Sequence, residues 1–138
     1  MTTYEIPSHT PQLSELLRYV PHADMAVLGT TAPEPAVLAH TDGRARSLEV
    51  EQLRTGKGPS VEVATSQRAV LADLNQIRTY WPDFARRARE LRLHSLLIVP
   101  LEPVFPAGAL SLYAHRSHAF DDHDEDVVRR SLPDLVRR

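Results

Sequence analysis

Apolar residues recur at helical spacing near the start of the chain. Leu13, Leu16, Leu17 and Val20 follow Thr10-Pro11, a natural cap and first helical position, and the run stops at Pro21. This spacing predicts a short amphipathic helix over residues 10–20. From Ala23 to Thr30, and again from Pro35 to Thr41, the chain turns apolar and β-prone, with Thr31-Ala32-Pro33-Glu34 between the two runs. A hairpin is expected there, followed by a turn at Asp42-Gly43. Arg46 to Arg54 reads as a weakly amphipathic helix closed by Gly56-Lys57-Gly58-Pro59, and Ser60 as the cap of a second short helix ending before Arg68.

Ala69 to Leu74 reads as a short strand. Pro82 to Arg92 carries Phe84, Ala85, Ala88 and Leu91 along one side and Asp83, Arg86, Arg87, Arg89 and Glu90 along the other, the clearest helical pattern in the chain. Ser95 to Leu101 is nearly unbroken apolar sequence, as expected of a central strand covered on both faces. Ala107 to His115 alternates, with Leu110 and Leu112 on one side and Ala109, Ser111 and Tyr113 on the other, so these two segments form a natural antiparallel pair. Asp121, Asp122 and Asp124 suit the first turn of a last helix whose buried stripe is Val128, Leu132 and Leu135, with Pro133 expected to kink or end it. The order of elements predicts an α+β fold, a central antiparallel sheet with helices on both faces. One domain over residues 1–138 is expected, with an N-terminal helix at 10–20, sheet and pocket helices at 23–115, and a C-terminal helix at 121–136.

Composition narrows the function classes. A formal charge of −2, with both signs interspersed, offers no basic field to a nucleic-acid backbone and no polybasic tail to a membrane. No apolar stretch approaches the roughly 20 residues needed to span a bilayer, so neither nucleic acid nor membrane is an expected partner and the expected location is cytoplasmic. The sequence has no cysteine, which excludes disulfides, thiolate metal sites, thiol nucleophiles and thioether-linked chromophores.

Three stretches, taken in order, resemble the GAF domain family, and especially the GAF domains of actinobacterial signalling and transcription regulators. They are Gly56-Lys57-Gly58-Pro59-Ser60, then Trp81-Pro82-Asp83-Phe84, then Ser95 to Leu101 followed by Gly108 to Tyr113 and Phe120-Asp121-Asp122. The resemblance runs from about Ala23 to Val128. It implies a GAF/PAS-like sheet of five or six antiparallel strands, with the terminal helices on one face and a ligand pocket on the other, walled by elements between Arg46 and Arg92. It further implies a sensory or regulatory module, not an enzyme, that binds a small molecule, forms a homodimer through its terminal helices, or does both. The family's methionine-sulfoxide reductases and bilin-binding members depend on thiols that this chain lacks. Its cyclic-nucleotide-binding members pair an Asn-Lys with a downstream Phe-x-x-x-Asp-Glu; Phe120, Asp124 and Glu125 match the second half, but Ala114-His115 stands in place of the first.

Leu74, Trp81, Phe84, Ile98 and Leu112 are the candidate lining of an apolar ligand pocket, since aromatic walls with a few polar groups are typical of small-molecule sites. The competing reading is that they simply pack the core. Backbone N–H groups at the start of the Pro82 helix, with Arg78 nearby, could hold an anion; a solvated helix end is the plainer account. His115, His118 and His123 among Asp121, Asp122 and Asp124 suggest a metal site superficially and a hydrophilic turn more simply. Haem on one of the seven histidines is the alternative cofactor reading, and the sequence singles out none of them. Arg86, Arg87, Arg89 and Arg92 read as a solvated helix face. No Gly-x-Ser-x-Gly surrounds Ser60, so no catalytic residue is assigned. The Leu13, Leu16, Leu17, Val20 and Val128, Leu132 stripes are candidates for burial against a second copy, and the prolines of Glu102-Pro103-Val104-Phe105-Pro106 are expected to expose Phe105.

Overall fold

The computed structural model describes residues 10–135. Its elements are α1 (Thr10–Leu17), β1 (Met25–Thr30), β2 (Ala36–His40), α2 (Gly43–Thr55), α3 (Pro59–Ser66), β3 (Val70–Asp73), α4 (Leu74–Ile77), α5 (Pro82–Glu90), β4 (Ser95–Pro100), β5 (Gly108–Ala114) and α6 (Asp122–Leu135). The strands form one five-stranded sheet in the order β2-β1-β5-β4-β3, and every neighbouring pair is antiparallel. No helix among the described residues is long and apolar enough to cross a membrane.

Every residue of β1, β4 and β5 is buried, which accounts for the unbroken apolar run of β4: helices cover both faces, so neither side of the strand needs to be polar. Register assigns the faces. Leu97 pairs with Leu112, Val99 with Leu110 and Leu28 with Leu110, and these side chains pack under α1 and α6 with Leu13, Leu16, Val128 and Leu132. Leu96 pairs with Tyr113, Ile98 with Ser111 and Met25 with Tyr113, and the side chains of that face pack under α2 to α5 with Leu48, Val63, Ile77 and Phe84.

Several local expectations are corrected. α1 ends at Leu17 because the N–H groups of Arg18, Tyr19 and Val20 bond to carbonyls three residues back, tightening the chain ahead of Pro21. Asp42 is the N-cap of α2, its carboxylate accepting the Arg44 N–H at 2.8 Å, so that helix starts earlier than its amphipathic pattern indicates. Arg44 also holds the Asp42 carboxyl below its ordinary value, at about 2. Gly56 closes α2 in the left-handed conformation at φ 71. Ser60 does not cap α3: Gly58 is the N-cap and Pro59 occupies the first turn, which leaves the Ser60 hydroxyl free for another partner. α4, at four residues, is too short to show a periodicity in the sequence; Gln76 reaches back to the Asp73 N–H at 2.8 Å to start it. α6 continues past Pro133 to Leu135, the buried Leu132 and Leu135 holding its last turn to the core. Phe105 is half-buried rather than displayed. Its N–H bonds to the Leu101 carbonyl at 2.9 Å, which folds the loop back over the end of the sheet, against the core under α1 and α6.

Both terminal stripes are used within the chain. Leu13, Leu16 and Val20 from the first segment and Val128, Leu132 and Leu135 from α6 are buried against the sheet, so they are not available to a second copy.

Candidate functional site

The inward stripe of α2 is Ala45, Leu48, Glu49 and Gln52, spaced i, i+3, i+4 and i+7 as a core-facing helix requires, yet half of it is polar. Glu49 is 2% exposed and Gln52 1% exposed. Ser60, on α3, donates its hydroxyl to Glu49 Oε2 at 3.0 Å, and its backbone N–H to Gln52 Oε1 at 2.9 Å. Gln52 Nε2 donates to the Leu48 carbonyl at 3.2 Å, so both ends of that amide are engaged. Two glycines make room for these side chains. The Glu49 carboxyl occupies the space a Cβ on Gly29 of β1 would fill, and Gln52 lies where a Cβ on Gly58 would be.

From the sheet, β5 contributes Ser111 and Tyr113, both fully buried on this face. Ser111, Gln52 and Glu49 lie close enough to influence the Tyr113 hydroxyl, but none makes a well-formed hydrogen bond with it. Glu49 Oε1, Ser111 Oγ and the Tyr113 hydroxyl all lack a partner. Buried polar groups are nearly always bonded, so three orphans in one cluster are unusual. The electrostatics follow from burial. Desolvation pushes the Glu49 carboxyl up to about 7, only partly opposed by the Ser60 hydrogen bond. Tyr113 is pushed up as well, first by burial and then by the charge of Glu49.

Beside this polar cluster lies a cleft of about 830 Å³ between α2 and α5, with Leu48, Gln52, Lys57, Tyr80, Trp81 and Phe84 among its walls. Gln52 belongs to both: it walls the cleft and accepts the Ser60 N–H in the cluster. The Phe84 ring lies 6.3 Å from the Tyr113 ring, and Tyr80 and Trp81 stand 5.9 Å apart at the α5 end of the cleft. Arg54 pairs with Glu51 at 2.7 Å and Arg86 with Asp83 at 3.5 Å in the open, where such pairs contribute little to stability.

Of the expected lining residues, Trp81 and Phe84 stand on the cleft wall. Leu74 and Ile98 belong to the same side of the core, packed behind it. Leu112 is a correction: it pairs with Leu97 and faces α1 and α6, across the sheet from Trp81. Its neighbour Tyr113 takes the position that Leu112 was expected to hold. Glu49, Gln52, Ser60 and Ser111 were also missed. The signal was present in α2, whose weak amphipathicity comes from two polar residues completing an apolar stripe.

The histidines go to separate neighbours. His115 Nδ1 lies 2.9 Å from the Arg92 carbonyl, His118 Nδ1 lies 3.0 Å from Asp73 Oδ2, and His123 is exposed on α6. No described residue lining the cleft is a histidine, and no group of three or more His, Asp or Glu among the described residues could hold a metal ion.

A family model described as GAF domain matches residues 13–133. Among solved structures, the chain is similar to the GAF domain region of a protein named as a membrane protein from Geobacter sulfurreducens PCA, with a TM-score of 0.68, 18% identity and coverage of 91% of this chain and 86% of that one. A type II free methionine-R-sulfoxide reductase from Thermoplasma acidophilum aligns with a TM-score of 0.66 at 14% identity, covering 93% and 88%. The photoproduct state of GAF3 from Slr1393 of Synechocystis sp. PCC6803 aligns with a TM-score of 0.63 at 11% identity, covering 91% and 86%. At these identities the likeness shows the fold. No curated protein sequence matches the chain.

Proposed function

Because this chain belongs to the GAF domain family, we propose that it is a non-catalytic sensory domain that binds a small molecule in the cleft between α2 and α5. One observation carries the reading: behind Gln52, which stands on the cleft wall, lies a buried polar cluster in which Glu49 Oε1, Ser111 Oγ and the Tyr113 hydroxyl lack partners. A cluster that served only to pack the core would be more stable with apolar side chains of the same shape. A ligand that supplies the missing bonds offsets the cost of keeping these groups buried.

Several features favour binding over chemistry. The Ser60 hydroxyl is 1% exposed and donates to a carboxylate rather than to an imidazole, so nothing prepares it as a nucleophile. The free methionine-R-sulfoxide reductases share the fold, but a chain without cysteine has no thiol to bring to a reduction. Trp81, the single tryptophan, stands on the cleft wall and reports directly on occupancy. A metabolite screen by thermal shift and Trp81 emission tests the proposal: at least one compound is expected to raise the melting temperature and change the emission together. A screen in which every compound leaves both unchanged refutes it.

Pairing of two copies through the terminal helices would have to use their outward surface, around Pro11, Tyr19 and Ser131, since the apolar stripes of α1 and α6 lie inside the chain. Light scattering that finds a monomer at every concentration refutes that output.

A further inference from the structure

Resting on that reading of the cleft, we infer that the ligand is a small cation, with an ammonium or amidinium head that docks against Glu49 between Ser111 and Tyr113. The groups facing the Glu49 carboxyl can be named element by element. Ser60 approaches from α3, the bare Cα of Gly29 from β1, Tyr113 from β5, and Gln52 lies on the next turn of the same helix. None is a cation, and burial and the Ser60 hydrogen bond are the influences acting on this acid. The chain has thus buried an acidic group with one oxygen bonded and the other left open. Such a group is destabilising by itself and becomes favourable when a counter-charge reaches it.

The donor and acceptor inventory identifies the head group. An ammonium brings three N–H donors and no acceptor. Glu49 Oε1, Ser111 Oγ and the Tyr113 hydroxyl each lack a partner, and each can accept. Above about pH 7 an anionic head would meet the carboxylate charge with no base to mediate, and an apolar head would leave all three atoms as they are. Gly29, which has no backbone need for glycine, leaves the space that the Glu49 carboxyl fills. Gln52 stands both on the cleft wall and against the cluster, so a head group that reaches Glu49 from the cleft displaces its amide and releases its bonds to the Leu48 carbonyl and the Ser60 N–H. The body of the ligand then lies along Trp81 and Phe84 in the cleft.

Matched probes test this on the intact chain. Butylammonium and benzamidinium are compared with butyrate and benzoate and with butanol and benzamide, read by calorimetry and Trp81 emission up to high millimolar concentration. The cationic probes are expected to bind and the anionic ones not to. Glu49→Gln is expected to weaken the cations by roughly tenfold or more, the scale of losing one buried charge-assisted contact. Tyr113→Phe should weaken them a few-fold. Should Glu49→Gln fail to fold, acidification of the unaltered chain decides the matter, because affinity for butylammonium must fall as pH drops below about 7. Equal binding of butyrate or butanol, unchanged cation affinity in Glu49→Gln, or no loss on acidification overturns the cationic ligand while leaving a sensing cleft in place. Silence from every probe of every charge, together with a silent metabolite screen, overturns both.

Discussion

Glu49 ties the stability of this domain to pH in a direction opposite to that of most paired carboxylates. Its carboxyl is held at about 7 in the folded chain against an ordinary value of 4.5. Below pH 4.5 both the folded and unfolded chains carry the proton, and the group makes no difference between them. Between that value and about 7, the unfolded chain releases the proton and the folded chain keeps it, so stability falls as pH rises across this window and levels off above it. Each pH unit of separation is worth about 1.4 kcal/mol, which makes the total loss roughly 3 kcal/mol. With an unfolding entropy of about 2.1 cal/mol/K per residue over a chain of this length, that corresponds to a melting temperature change of roughly 10 °C. Glu49→Gln keeps the shape of the protonated acid and an acceptor for Ser60 but cannot ionise. Thermal melts of both proteins from about pH 4 to about pH 8 isolate the effect, because other titrating groups cancel in the difference. The stability of Glu49→Gln relative to the unaltered chain is expected to climb by about 3 kcal/mol across the window. A difference that stays flat with pH would mean that Glu49 is solvated or already has a counter-charge, and the account of the buried cluster would fail.

Other consequences follow from the same geometry. Tyr113→Phe removes a buried hydroxyl that has no partner and is expected to stabilise the ligand-free chain by about 1 kcal/mol, some 3 °C in a melt; a loss of stability would show that the hydroxyl is bonded. Gly29→Ala drives a Cβ into the Glu49 carboxyl and is expected to cost about 1–3 kcal/mol, most of it recovered when Glu49→Ala is added. Strict additivity of those two changes in urea unfolding would contradict the contact. Leu112→Ala should cost about 2–5 kcal/mol while leaving the Trp81 emission maximum in place, since the sheet lies between them; a shifted maximum would place Leu112 on the wrong face.

Much of the fold could be read from spacing alone. The alternation of β5 identified Ser111 and Tyr113 as the companions of Ala109, and the apolar run of β4 announced a strand covered on both sides. The elements that escaped are short or hydrogen-bond-determined: α4 has four residues, and the starts of α2 and α3 are set by Asp42 and Gly58 rather than by periodicity. The site was harder to read, because apolar character was taken as the mark of a pocket wall. That criterion picks Trp81 and Phe84, which stand on the cleft wall, and favours Leu112 over Tyr113, although the alternation of β5 sends the two side chains to opposite faces. Glu49 and Gln52 were hidden by the same assumption. A polar residue on a core stripe is visible in sequence only when the helix phase is known, and Asp42, which starts α2, was read as part of a turn. The three unpaired atoms could not have been read at all, since a missing hydrogen bond is a property of the assembled core.

The sheet also bears on how such a domain changes over time. Along β5, one set of side chains packs under α2 to α5 with the polar cluster and the alternate set anchors α1 and α6. On the proposed reading, substitution at Ser111 or Tyr113 changes which molecule is recognised, while Leu110, Leu112 and Ala114 continue to hold the frame. Selection on recognition and selection on folding act on interleaved but different positions. A lineage built on this wall can exchange its chemical vocabulary without renegotiating its architecture.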